Sequence, residues 1–169
     1  MSYLFSDYQQ TRRNTKLVKY VPTTWQLNTS PAWTYVEGSR IYYTPESTDS
    51  RVIYEFYTAF SWEDVENQSD FKLQIGTTLG NITDVDPATS NQPYHLSHGG
   101  NGANYNTQLN DLVVLRYELD SWSGQKIIET HFKHRDARPY VCRLHYTRYA
   151  GTTTLQSLYN SFVLCYEID

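Results

Sequence analysis

The histidines are the residues of this chain best suited to chemistry, since histidine serves as both a metal ligand and a general base. His131 and His134 are three residues apart on a predicted strand, so their side chains point to opposite faces and cannot share one ion. His95 and His98 lie together in a predicted loop, but the spacing supplies no third ligand. We therefore expect solvated or hydrogen-bonded histidines, with no metal and no other cofactor.

Catalysis by a nucleophile or an acid pair has no local signature in the sequence. The chain contains no Gly-x-Ser-x-Gly elbow, and neither Cys142 nor Cys165 has a neighbouring histidine in a reactive context. The carboxylates that could supply the acid pair of a glycoside hydrolase are Glu55, Glu118, Asp120 and Glu129. Their spacing along predicted strands cannot pair them. We predict that the chain is not an enzyme, with a hydrolase of unrecognised acid pair as an alternative.

A glycine-rich run, Gly99-Gly100-Asn101-Gly102, lies in the long irregular segment from Gly80 to Gln108. Such a loop cradles phosphate when it leads from a strand into the N-terminus of a helix. Here the pattern that follows is that of a strand. Because long irregular loops usually carry function or are mobile, we expect this loop to face outward, where it can contact a partner.

The elements that position these residues are strands with alternating hydrophobicity. In the run Arg51–Ser61, the residues Val52, Tyr54, Phe56 and Phe60 share one parity, and Ile53, Glu55, Tyr57, Ala59 and Ser61 share the other. This pattern predicts a strand with one buried face and one mixed, partly solvated face. Similar runs recur to the last residue, with turn residues about every ten positions.

The predicted fold class is therefore all-β, an antiparallel β-sandwich of jelly-roll type. Residues 15–169 form a single sandwich domain, and residues 1–14 form an N-terminal arm. The strongest predicted core positions are Val52, Tyr54, Phe56, Phe60, Leu115, Tyr117, Leu144, Phe162 and Leu164. The alternation around Cys142 and Cys165 predicts that they lie on opposite faces or in different layers, which favours free buried thiols over a disulfide.

Composition narrows the classes of partner. The formal net charge of −4 argues against a nucleic-acid binder, which usually presents a basic face. No apolar run is long enough to span a membrane, and the N-terminus lacks the basic and apolar regions of a secretory signal. We expect no nucleic acid, no membrane insertion and synthesis in a cytoplasm.

Aromatic residues are in surplus, at 15% of a chain whose hydrophobic fraction is only 39%. Two predicted strands carry rings on both parities, more than one core face needs. The extra rings could cover a subunit interface, stack on a sugar, or belong to a small core with solvated hydroxyl groups. The residues predicted to contact a partner are Tyr42, Tyr57, Trp62, His95, His98, Asn101 and Trp122.

The order of features from Arg40 to Asp169 resembles a known class of viral proteins. It contains a Pro-Glu-Ser-Thr-Asp-Ser turn at 45–50, the run RPYVCRLHYTRY at 138–149 and the closing strand SFVLCYEI. This order is similar to that of the virion knob proteins of tailed phages and other large viruses. Their jelly roll is similar to the head modules of tumour necrosis factor and complement.

The resemblance implies a homotrimer around an axis lined by aromatic strands, with the arm attaching the domain to other virion proteins such as capsid or tail proteins. Because no fibre-like repeat precedes the domain, it implies a short spike or a capsid decoration protein, located in the virion and able to contact a host-surface glycan. The alternative from another class is a carbohydrate-binding module whose stacking rings would be Trp25, Trp33, Trp62 or Trp122.

Overall fold

The structure is a computed structural model of the 169-residue chain. It describes residues 13–19, 26–28, 31–62, 68–85, 95–97, 109–134, 142–148, 156–158 and 160–168. Side chains are described for residues 31–60, 70–85, 112–133, 144–145 and 160–168.

The described residues form strands and turns and contain no helix. The strands are β1 (Arg13–Lys19), β2 (Gln26–Asn28), β3 (Thr34–Tyr35), β4 (Ile41–Tyr43), β5 (Arg51–Trp62), β6 (Gln68–Gly76), β7 (Ile82–Asp84), β8 (His95–Ser97), β9 (Leu109–Asp120), β10 (Lys126–His134), β11 (Cys142–Leu144), β12 (Tyr146–Arg148), β13 (Gln156–Leu158) and β14 (Phe162–Ile168). No helix able to cross a membrane occurs in the part of the chain described.

The first sheet is built around β5. Its strand order is β1-β14-β5-β11-β2, and β9 pairs with β5 along all twelve of its residues. β14 and β11 occupy successive stretches of β5, opposite 51–57 and 60–62 respectively. Every one of these pairings is antiparallel. β5 is therefore the central strand of this sheet.

The second sheet has the order β3-β10-β6-β7, with β4 also on β10 and β8 also on β6. β9 and β10 are joined by a turn in which Gly124 has a φ of 79°, a conformation that glycine adopts without steric cost. A separate two-stranded hairpin is formed by β12 and β13. The antiparallel β-sandwich is confirmed, and its jelly-roll connectivity stays a prediction.

The core between the two sheets consists largely of rings. Phe60 of the first sheet meets Phe71 of the second edge to face, with centroids 5.7 Å apart, and Phe71 stacks on Phe132. The Tyr54 hydroxyl crosses the interior to donate to the carbonyl of Ser39 at 2.7 Å. The core predictions are confirmed for Val52, Tyr54, Phe56, Phe60, Leu115, Tyr117 and Leu144.

The predicted core positions in β14 were wrong. Phe162 and Leu164 are only half-buried, whereas Val163 and Cys165 are fully buried and belong to the core cluster. The register explains this, because residues directly opposite each other in a ladder share a face. Val163 lies opposite the core residue Phe56, so its neighbours in β14 face outward.

The second face of β5 also differs from the prediction, because it is largely buried. Ile53 and Ala59 are fully buried, and Tyr57 is half-buried. β5 pairs with β9 on one side and with β14 on the other, so residues on its second face lie between side chains of these two strands. Part of the aromatic surplus is therefore used within this sheet.

The predicted N-terminal arm and the two cysteines are only partly described. β1 begins at Arg13, so the last two residues of the predicted 1–14 arm belong to a strand that pairs with β14. Residues 1–12 lie outside the described residues. Cys165 is buried and is not part of a disulfide, as expected, and the side chain of Cys142 is not described.

Candidate functional site

Among the described side chains of the first sheet, the large apolar ones that are exposed lie on β9. Val113, Leu115, Tyr117 and Leu119 point into the core, so the alternate positions point outward. Two of these outward positions are apolar: Leu112 is 60% exposed and Val114 is 42% exposed. Clustered apolar side chains on a sheet surface mark a contact site more often than scattered ones do.

The apolar surface continues from β9 across β5 to β14. Tyr57 lies opposite Val114 on one side and Phe162 on the other. Its ring stacks on that of Phe162, with centroids 4.3 Å apart and planes 13° apart. We call the surface formed by Tyr57, Leu112, Val114, Phe162 and Leu164 the outer apolar face.

A buried carboxylate organises the centre of this face. Glu55 is nearly inaccessible and accepts hydrogen bonds from the hydroxyls of Tyr57 at 2.8 Å and Tyr166 at 3.1 Å. The Nε of Arg116 lies 3.2 Å from the same carboxylate and supplies a counter-charge. These contacts hold the two tyrosine rings in place and leave the centre of the face neutral.

The outer surface of the second sheet has a different character, because cations cover its rings. The Nζ atoms of Lys72 and Lys133 lie 4.6 Å and 4.7 Å from the centroid of the Trp33 ring. The guanidinium of Arg40 lies 4.5 Å from the centroid of Tyr35. Cation–π contacts of this kind occupy the ring faces on which a sugar would have to stack.

Carboxylates in turn neutralise most of these cations. Glu129 is buried and contacts both the Nε of Arg40 at 2.5 Å and the Nε2 of His131 at 2.7 Å. Lys72 donates to Asp84 at 2.6 Å. Glu129 lies on this surface and Glu55 on the outside of the other sheet, so these two carboxylates cannot act as one acid pair.

Two of the residues predicted to contact a partner, Tyr42 and Trp122, differ in their exposure to solvent. Tyr42 is 45% exposed on β4, while its neighbour Tyr43 points into the core. Trp122 is only 7% exposed and belongs to the core cluster, where it meets the Tyr43 ring edge to face. Trp122 is thus a packing residue at the hairpin turn and not an exposed stacking ring.

The remaining predicted contact residues are described in part or not at all. Trp62 ends β5 and His95 begins β8, but their side chains lie outside the description. His98, Asn101 and Trp25 lie outside the described residues altogether. Among the residues that are described, no group of three or more His, Cys, Asp or Glu side chains is arranged to hold a metal ion.

A polar cluster that the sequence did not reveal lies around the fifth histidine, His145. Its Nδ1 is 2.6 Å from the hydroxyl oxygen of Ser161 and 3.2 Å from that of Thr58. All three residues are buried, and Ser161 also donates to Thr58 at 2.9 Å. A serine beside a histidine is the start of a nucleophilic site, but this pair is enclosed in protein and has no access for a substrate.

A second unpredicted polar site surrounds Glu167 of β14. Its fully buried carboxylate accepts hydrogen bonds from the backbone N–H groups of Glu46 at 2.7 Å and Ser47 at 3.2 Å. The hydroxyls of Ser50 and Tyr43 donate to it at 2.8 Å and 3.1 Å. Burial alone would raise the pKa of Glu167, but these donors outweigh burial and lower it.

Comparison with known proteins does not identify the chain. A scan against protein-family models found no match, and a search of the curated proteins found no similar sequence.

Proposed function

We propose that this chain is a structural component of a virion, of the capsid-decoration, short-spike or fibre-knob type, that acts by assembling into a homotrimer. The observation that carries the assembly is the outer apolar face, where exposed Leu112 and Val114 adjoin the stacked rings of Tyr57 and Phe162. Aromatic and apolar side chains around a neutral centre are typical of the core of a subunit interface.

The virion role rests on the resemblance in the order of strands and turns from Arg40 to Asp169, together with the β-sandwich fold. In this role the domain assembles with itself and attaches to capsid or tail proteins. Genes for a capsid or portal protein beside the gene for this chain would support the role. A gene neighbourhood made up of metabolic enzymes would argue against it.

The test of assembly is the mass of the chain in solution, measured by light scattering after gel filtration. We expect the wild-type mass to be three times that of the chain, and Val114→Glu to reduce it to the mass of one chain. Leu79→Glu is the matched control, because Leu79 is 56% exposed in the turn after β6, away from the outer apolar face. A monomeric wild-type protein would overturn the proposal.

Contact with a host-surface glycan is a further part of this proposed role. Tyr42 supports it, because its side chain is 45% exposed and an aromatic ring can stack on the apolar face of a pyranose. A glycan array compares the wild type with Tyr42→Ala. Binding that survives this substitution would exclude Tyr42 as the stacking ring.

A further inference from the structure

The outward positions of β9 change in character along the strand. Leu112 and Val114 are apolar and exposed, and the next outward positions are the charged residues Arg116, Glu118 and Asp120. Side chains on one face of a strand follow each other at every second residue, so these five form a single row. The row is apolar where β9 begins and charged where it ends.

The strands beside β9 show the same division. Opposite Val114 lies Tyr57, whose ring stacks on Phe162. Opposite Asp120 lies Arg51, whose guanidinium is 3.4 Å from the carboxylates of both Glu118 and Asp120. We call Tyr57, Leu112, Val114 and Phe162 the apolar end of this sheet surface, and Arg51, Glu118 and Asp120 its charged end.

Glu55 and Arg116 lie at the boundary between the two ends. The Glu55 carboxylate accepts hydrogen bonds from the hydroxyls of Tyr57 and Tyr166, and the Nε of Arg116 is 3.2 Å from it. The charge of Glu55 is therefore balanced within its own chain. A partner that covers the apolar end does not have to supply a counter-charge there, so an uncharged apolar surface fits it.

The apolar end of a second copy is such a surface. Each chain carries a formal net charge of −4, so two copies repel each other wherever their charged surfaces approach. Contact between apolar ends avoids this repulsion and removes the exposed side chains of Leu112 and Val114 from water. The apolar end is thus complementary to itself.

Symmetry makes the division along β9 decisive. In a closed symmetric assembly, a residue next to the rotation axis faces the same residue of the other copies. Near the axis, the carboxylates of Glu118 and Asp120 would each face their own copies and repel them. Leu112 and Val114 would be buried there without such a cost.

We propose that copies of this chain meet with the Leu112–Val114 end of β9 gathered round the symmetry axis, and that the β9 strands diverge from the axis towards Asp120. This inference rests on the proposed assembly and adds to it the part of the sheet that lies nearest the axis. Val114 and Asp120 are about 20 Å apart along an extended strand, so their distances from the axis can be told apart by cross-linking.

The test is the cross-linking of cysteines placed at these two positions, Val114→Cys and Asp120→Cys, with a short bismaleimide. Linked pairs of chains are measured on a denaturing gel, at a protein concentration where light scattering shows the assembled mass. We expect several-fold more linked pairs in Val114→Cys than in the wild type, which supplies the background from Cys142 and Cys165. Asp120→Cys is the matched control on the same face of the same strand, at a side chain that is 75% exposed, and should stay at the wild-type level.

Two results would overturn this inference and leave the proposed assembly in place: an assembled Val114→Cys that does not link, or linking in Asp120→Cys that equals or exceeds that in Val114→Cys. A wild-type protein with the mass of one chain would overturn both. If Val114→Cys itself dissociates, Leu112→Cys takes its place in the comparison, and the same two results overturn the inference.

Discussion

The hydroxyl of Ser50 donates to the carboxylate of Glu167 at 2.8 Å, across 117 positions of sequence. Three donors from the 44–50 turn, which are the Ser50 hydroxyl and the N–H groups of Glu46 and Ser47, fasten this turn to the last strand, and the Tyr43 hydroxyl of β4 is a fourth donor to the same carboxylate. Because the donors are two backbone N–H groups and two hydroxyls, the charge of the carboxylate is held by hydrogen bonds from neutral groups. The turn and the C-terminal strand are therefore expected to lose their order together.

Glu167→Gln should lower the free energy of unfolding by about 2 kcal/mol, within the range for a buried hydrogen-bonded charge. The amide keeps one acceptor oxygen but directs an NH₂ group towards donors, so at least one donor loses its partner. Urea unfolding at pH 7 measures the change. Glu118→Gln is the control, because Glu118 pairs with Arg51 at a partly exposed site, and its loss should change stability by less than about 1 kcal/mol.

The carboxylate of Glu167 should also make the free energy of unfolding depend on pH in acidic solution. Since the pKa of Glu167 is lowered on folding, its contribution is complete above the ordinary glutamate pKa of about 4.3 and is lost as the pH falls below it. The contribution of His145 is lost at higher pH, between about 6.5 and about 4. Urea titrations from pH 7 to pH 3 should therefore show two separate losses. Glu167→Gln should remove the lower one alone, and loss of the upper one in that variant would contradict the assignment.

The hydroxyl of Tyr54 links the two sheets and should contribute measurably to stability. It donates to the Ser39 carbonyl at 2.7 Å and lies 3.1 Å from the Thr130 hydroxyl, with the whole side chain buried. Tyr54→Phe leaves the Ser39 carbonyl without this donor and the Thr130 hydroxyl without this partner, and should lower the free energy of unfolding by about 1–3 kcal/mol. Thermal unfolding of Tyr42→Phe provides the comparison, because Tyr42 is 45% exposed and water can replace the contacts of its hydroxyl, so a smaller loss is expected.

The strands whose two faces differ in polarity could be predicted from sequence. β9 alternates the buried residues Leu115 and Tyr117 with the outward residues Arg116 and Glu118. Period-two alternation is informative when one face is solvated and the other is not. The all-β class and most of the predicted core were correct for this reason.

The predictions failed where a strand carries apolar side chains on both faces. In β14 the outward positions carry Phe162 and Leu164, which are larger and more apolar than the inward Cys165 and Glu167. Hydrophobicity alone therefore assigned the strand to the wrong face. The pairing with β5 sets the true orientation, and that pairing joins positions more than a hundred residues apart.

The polar clusters could not be predicted from the sequence either, because they also depend on contacts between residues far apart in the chain. His145 meets Thr58 and Ser161 because a left-handed corner turns its ring between the sheets. No spacing in the sequence brings these three residues together. The available signal was a histidine in the middle of a predicted strand, which is also compatible with an exposed position.

The inverted orientation of β14 can be tested by placing the same residue at two successive positions. Val163 is fully buried opposite Phe56, whereas Leu164 is half-buried on the outer apolar face. Val163→Asn should lower the free energy of unfolding by about 3 kcal/mol, because it buries an amide without partners, and Leu164→Asn by only about 1 kcal/mol.

Both variants should be unfolded in urea at one low protein concentration, since assembly would add a concentration-dependent contribution to stability. A larger loss of stability in Leu164→Asn than in Val163→Asn would mean that Leu164 faces the core, as hydrophobicity alone predicts. It would also remove Phe162 and Leu164 from the outer apolar face, and with them much of the support for assembly through that surface. A larger loss of stability in Val163→Asn than in Leu164→Asn would support the observed orientation of β14. A reduced mass of Leu164→Asn at high concentration would in addition support assembly through the outer apolar face.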